Sequence, residues 1–71
     1  MRRLAPIRGR EVIRILCNKF CFKAIRQKGS HVTLTNGTIY VTVPMKEIHV
    51  GLLNVIINDC GISRDEFLKY A

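Results

Sequence analysis

The sequence predicts an α+β fold of order α-β-β-β-α: a three-stranded antiparallel sheet with two helices on one face. Three observations predict it. Apolar residues recur at helical spacing near the start of the chain and again in its last third. Between them lie segments rich in β-branched residues. Two glycine-containing dipeptides, Gly29-Ser30 and Asn36-Gly37, divide those segments as hairpin turns do.

The first helix is expected over residues 8–19. Val12, Ile13 and Leu16 fall on one side with Ile15 and Phe20 flanking, and Arg10, Arg14 and Lys19 take the other. Gly9 serves as an N-cap, weaker than Ser or Asp. An extended stretch follows over 21–28. Gly29-Ser30 then makes a two-residue type II′ turn, which needs glycine first because φ is positive there. Residues 31–35 form the second strand, and Asn36-Gly37 is read as a type I′ turn. Residues 38–43 form the third strand, ended by Pro44. Leu52, Leu53, Ile56 and Ile57, joined by Val55, give the second helix, closed at Cys60-Gly61. Ser63 with Glu66 is a capping box that opens a short tail helix, Phe67 and Leu68 turned inward.

The turns fix which side chains share a face. Two-residue turns set Leu34 opposite Ile39, Val32 opposite Val41 and His31 opposite Thr42. Val32, Leu34, Ile39, Val41 and Val43 then form the core face. Across the first turn, Lys28 faces His31, Arg26 faces Thr33 and Ile25 faces Leu34. Ile25 joins the core, while Arg26 and Lys28 stand beside His31 on the open face, with Tyr40 and several threonines.

Seventy-one residues are expected to form one domain, 1–71. A chain this short buries only about 60% of its unfolded surface, so the core is thin. With 48% hydrophobic and 24% charged residues it reads as a packed globule rather than a disordered chain. The net charge of +7, with a pI near 9.9, favours a polyanionic partner: nucleic acid, an acidic protein or a membrane surface. No apolar run reaches the ~20 residues of a membrane span, and Gly51 and Asn54 interrupt the longest. Met1-Arg2-Arg3 has no apolar stretch behind it, so no secretory signal is expected. Cys17, Cys21 and Cys60 are read as reduced, mostly buried thiols of a cytoplasmic protein. A metal site built from them and a histidine is the lesser alternative, because no paired C-x-x-C is present. No cofactor is expected.

Candidate chemistry centres on Arg26-Gln27-Lys28-Gly29-Ser30-His31. Cations neutralise a phosphodiester, and an imidazole moves a proton near neutral pH. His31 is the candidate proton-transfer residue. Arg26, Lys28, Ser30, Tyr40 and Lys46 are candidate RNA-binding residues, with Arg8, Arg10, Arg14 and Lys23 adding grip. The bland alternative is a solvated sheet face, where threonines, a tyrosine and a few charges are ordinary. His49, just before the second helix, is read mainly as a helix-entry residue. Tyr40, Lys46 and His49 are the candidates for a general acid. A sheet edge at 21–28 or 38–43 could pair with a second copy, giving a homodimer.

The opening Gly9-Arg10-Glu11-Val12-Ile13-Arg14-Ile15-Leu16, the Gly-Ser-His turn, Val43-Pro44, and residues 51–63 through Cys60-Gly61-Ile62-Ser63 together resemble the HicA family of toxins, in order and over nearly the whole chain. The resemblance implies a double-stranded-RNA-binding-domain-like fold. It further implies a metal-independent endoribonuclease acting on mRNA, with a HicB-type antitoxin as protein partner. In that family the histidine of the Gly-Ser-His turn is catalytic, which maps onto His31. Two departures stand out. Met45 and Lys46 follow Pro44 where family members often carry a second histidine, and Asn18-Lys19-Phe20 stand where a glycine commonly follows the first helix. Two rival classes stay open: a non-catalytic RNA-binding module of the same fold, and a protein-interaction domain whose basic face meets an acidic partner.

Overall fold

Where apolar stripes run at helical spacing the chain is helical, and where β-branched residues alternate it is extended. The computed structural model describes residues 3–71; Met1-Arg2, read above as part of a non-secretory start, lies outside the described residues. The elements are β1 (Ile7–Arg8), α1 (Gly9–Lys19), β2 (Lys23–Lys28), β3 (His31–Thr35), β4 (Tyr40–Pro44), β5 (Glu47–Ile48), α2 (Val50–Asp59) and α3 (Arg64–Leu68). Strands β2, β3 and β4 form an antiparallel meander in that spatial order. With α1 before it and α2 after it, this is the α-β-β-β-α arrangement of a double-stranded-RNA-binding-like module. A separate antiparallel pair, β1 with β5, was not expected; two residues per strand leave no periodicity to read.

The core lies between the sheet and both helices. Val12, Ile15 and Leu16 of α1, Val32, Leu34, Val41 and Val43 of the sheet, and Leu53, Ile56 and Ile57 of α2 are buried in one cluster with Phe67. The predicted core face of β3 and β4 therefore holds at Val32, Leu34, Val41 and Val43, even though the register does not, whereas Ile39 falls in the loop before β4 and is only half-buried. The second hairpin loop is four residues rather than two. Thr35 pairs with Tyr40, Leu34 with Val41, Val32 with Val43 and His31 with Pro44. The shift is by two positions, so every side chain keeps its face. Asn36 causes it: its side-chain oxygen accepts the backbone N–H groups of Thr38 and Ile39 at 2.9 and 2.8 Å. That side-chain turn replaces the type I′ geometry, and φ is positive at Gly37 but not at Asn36.

The first hairpin pairs Lys28 with His31 and Arg26 with Thr33, as expected, but Ala24 rather than Ile25 faces Leu34. Ile25 is the extra residue of a β-bulge and is 47% exposed. Burying it would have contributed roughly 1.5–3 kcal/mol. The bulge instead breaks the outer edge of a strand exposed along its whole length.

Three further expectations shift. Arg8, not Gly9, is the N-cap of α1, and it makes no side-chain capping bond. In α2 the stripe toward the sheet is Leu53, Ile56, Ile57 and the adjoining Cys60, so Leu52 and Val55 are 44% and 53% exposed. At about 100° per residue, Val55 points almost directly away from that stripe. Among the cysteines only Cys60 is buried; Cys17 is half-buried, Cys21 is exposed, and all three are free thiols. Among the described residues no three His, Cys, Asp or Glu side chains converge as metal ligands. No helix of the described chain is long and apolar enough to cross a membrane.

The C-terminal signals are read correctly. Gly61 donates to Asn58 and Ile62 to Ile57, a Schellman closure with both isoleucines buried. Both bonds of the Ser63–Glu66 capping box are present, at 3.1 Å each.

Candidate functional site

His31 opens β3, the middle strand, immediately after the Gly29-Ser30 turn. Gly29 has φ of +60°, as the first central position of this turn requires. The Gln27 side-chain amide donates to the Gly29 carbonyl at 3.1 Å and braces the turn. Nothing in the sequence pointed to Gln27, because side-chain support of a turn leaves no periodic trace.

The ladder places Lys28 directly across from His31 on β2 and Pro44 directly across on β4. Directly opposed Cβ atoms lie about 5 Å apart and diagonal ones about 7–8 Å. Lys28 and, on the diagonal, Arg26 are therefore His31's cationic neighbours. The imidazole is exposed and has no hydrogen bond or ion pair to another described residue. Tyr40 sits four positions along β4 from Pro44, about 13 Å away along the strand. The predicted register had set it closer. At that separation Tyr40 cannot exchange a proton directly with a group held at His31.

Lys46 is drawn toward the same end of the sheet. The Met45 N–H donates to the Ser30 carbonyl at 2.6 Å, carrying the β4 chain past Pro44 alongside the His31 turn. One residue on, the Lys46 carbonyl accepts the Gly9 N–H at 2.8 Å. This second bond brings in the start of α1. Arg8, Gly9, Arg10, Met45 and Lys46 line a cleft of about 240 Å³. Gly9 permits the approach: a Cβ there would lie 1.7 Å from the Pro44 carbonyl oxygen. Its sequence signal was a glycine where Ser or Asp would cap better.

The other expected grip residues are not equivalent. Arg14 is held by Glu11 through two bonds of 2.7 and 3.1 Å, and this pairing holds the Glu11 carboxyl below its usual range. Lys23 pairs with Thr35 at the opposite end of the sheet from His31. Lys19, on the last turn of α1, lies 5.3 Å over the Tyr70 ring, which Phe20 meets edge-on. His49 is the exposed N-cap of α2 and makes no side-chain capping bond. The Arg26, Lys28, Ser30, His31 and Lys46 positions are thus gathered at one end of the sheet, while Tyr40 and Lys23 are not.

A small α+β module with a histidine at the end of its middle strand, and lysine and arginine on the neighbouring strand, has a double-stranded-RNA-binding-like fold. The chain belongs to the HicA toxin family: the family model described as the HicA toxin of bacterial toxin-antitoxin systems matches residues 9–62. The matched span runs from the first residue of α1 to the residue after the Gly61 closure and includes His31. No curated protein matches the chain. It is accordingly a toxin of a toxin-antitoxin pair.

Proposed function

We propose that this toxin is a metal-independent endoribonuclease that cleaves mRNA, with His31 as the catalytic residue and a HicB-type antitoxin as its partner. The observation that supports the reading is the placement of an exposed imidazole between Lys28 and the Pro44–Lys46 segment, at a sheet end whose cations have no ion pair to another described residue. Neutral His31 accepts the proton of an RNA 2′-OH. The 2′-oxygen forms a bond to the adjacent phosphorus as the bond from phosphorus to the 5′-oxygen breaks. The products are a 2′,3′-cyclic phosphate and a 5′-hydroxyl, whose oxygen takes up a proton. Lys28 and Arg26 stabilise charge growing on the phosphate oxygens. Lys46 is the nearest of the three acid candidates by chain placement, since Met45 is bonded to Ser30. The lack of an orienting partner for the imidazole favours one other reading, a non-catalytic RNA-binding module of the same fold.

Purified wild type and His31→Ala, incubated in EDTA with labelled single-stranded RNA and with the matching DNA, separate the two. Under the ribonuclease reading wild type cuts RNA alone. The variant is slower by roughly 10²–10⁴-fold while binding RNA equally well. Equal binding with no cleavage by either protein makes the module the right reading. Cleavage abolished by EDTA overturns metal independence, and cleavage of DNA overturns attack by the 2′-OH.

A further inference from the structure

We infer that the cleft between the start of α1 and the β4–β5 connection is a second anion site, which holds another phosphate of the RNA strand engaged at His31. The inference rests on the ribonuclease reading for its ligand, but its support is separate. Arg8, Arg10 and Lys46 converge there from two segments far apart in sequence. None of the three has an ion pair or side-chain hydrogen bond to another described residue. Nearby carboxylates do not cancel them. Glu11, next to Arg10, is clamped by Arg14. Glu47 faces Arg8 across the β1–β5 pair without bonding it, so three cations stand against one carboxylate. Like charges gathered in a concave site are costly without a counter-charge, and a phosphodiester supplies one.

The backbone of the cleft is also held together and in the right place. Its two walls are joined by the Gly9–Lys46 backbone bond, with Gly9 packed against the Pro44 carbonyl oxygen. The Met45–Ser30 bond fixes it relative to the His31 turn. Two hydrogen-bonded chain spacings separate Gly9 from that turn, about 10 Å, a distance that one flexible strand of RNA can bridge. At about 240 Å³ the cleft is smaller than the ~300–1,000 Å³ of drug-sized pockets, which suits one backbone unit held from one side. Phosphate contacts of this kind set grip and register without reading sequence.

Fluorescence anisotropy of a short, labelled single-stranded RNA of mixed sequence tests this across a salt series. The parent is His31→Ala, so that cleavage does not consume the probe. Adding Arg10→Ala and Lys46→Ala together is expected to weaken binding at low salt by roughly tenfold. The slope of log affinity against log salt should flatten by about 0.7, the value for the one phosphate that the protein no longer neutralises. Arg64→Ala in the same parent removes a cation from α3 and leaves the slope unchanged. Lys46→Arg restores the Lys46 share. Circular dichroism matched to the parent guards against misfolding. A slope unmoved by the double change overturns the inference. So does a slope that Arg64→Ala flattens equally, because net charge alone would then explain it. If wild type fails to cleave RNA yet the slope flattens as described, the ribonuclease reading falls and the RNA-phosphate site stands. If wild type cleaves and the slope does not move, the reverse holds.

Discussion

At residue 9 a single hydrogen in place of a methyl group lets α1 close onto the β4–β5 connection. Alanine is the better helix former by about 1 kcal/mol, and on that ground alone Gly9→Ala would stabilise α1. Its methyl carbon, however, would collide with backbone at Pro44, which cannot rotate away as a side chain can. The variant is expected to lose roughly 1–3 kcal/mol in urea unfolding. A stability equal to or above wild type would mean that the two segments can part freely. Cys60 supports a prediction of a different kind. Burial, and secondarily the Asp59 carboxylate, push its thiol from 9.0 up to about 11. The unfolded chain ionises at the ordinary value while the folded one does not. This contribution is therefore complete below pH 9 and is lost as pH rises toward 11. The loss should be on the order of 1–2 kcal/mol in urea titrations across that range, and Cys60→Ala should remove that part of the decline. An identical alkaline decline in Cys60→Ala would assign it to the lysines and tyrosines instead. Cys21 shows what a departure from the family pattern means physically. Its φ of +62° is the left-handed conformation that glycine adopts without strain, so it is Cys21 that fills the glycine-favouring position after α1, just beyond the Asn18-Lys19-Phe20 stretch.

Among the elements, the C-terminal ones are specified locally. The Schellman closure at Gly61 runs almost directly into the Ser63–Glu66 capping box, and α3 is only five residues long. So short a helix has little propensity of its own and depends on its cap and on the burial of Phe67 and Leu68. Ser63→Ala is expected to cost about 1 kcal/mol of global stability and to speed amide exchange in α3 ahead of the sheet. Unchanged exchange at α3 would show that burial of Phe67 suffices without the cap. The Glu66 carboxylate accepts the Ser63 backbone N–H, and this bond first, with the adjacent Ser63 hydroxyl second, lowers its pKa, so its share of this stability is present above 4.5 and fades as pH falls below it. Strand β2 is governed otherwise. It is an edge strand, and its bulge at Ile25 with Lys23, Arg26 and Lys28 keeps a second chain from adding easily. The same cations then serve the open face.

Over the whole molecule, the net charge of +7 is spread unevenly in its effect. Arg14 and Lys19 are engaged by Glu11 and Tyr70, whereas Arg8, Arg10, Lys28 and Lys46 have no ion pair to another described residue and stand at the His31 end. Several of the cations without an ion pair to another described residue thus stand at the end that carries the imidazole.

Local pattern alone is enough for the α-β-β-β-α order, the core face of β3 and β4, the Gly29 turn that carries His31 and the caps of the last third. Each is written in contacts between near neighbours or in a period of two or 3.6 residues, and a shift of register by two cannot disturb a face that repeats every two. Long-range packing sets the rest: the register of β4 against β3, the bulge at Ile25, the exposure of Leu52 and Val55, and the gathering of Arg8, Arg10 and Lys46 into a cleft. A side chain that caps a loop, as Asn36 does, changes the pairing without changing any pattern. An apolar helix face also looks the same in sequence whether or not anything lies opposite it. The approach of Gly9 to Pro44 joins residues that no local pattern relates, and it depends on a close contact between two backbones, which leaves no side-chain signature beyond the glycine.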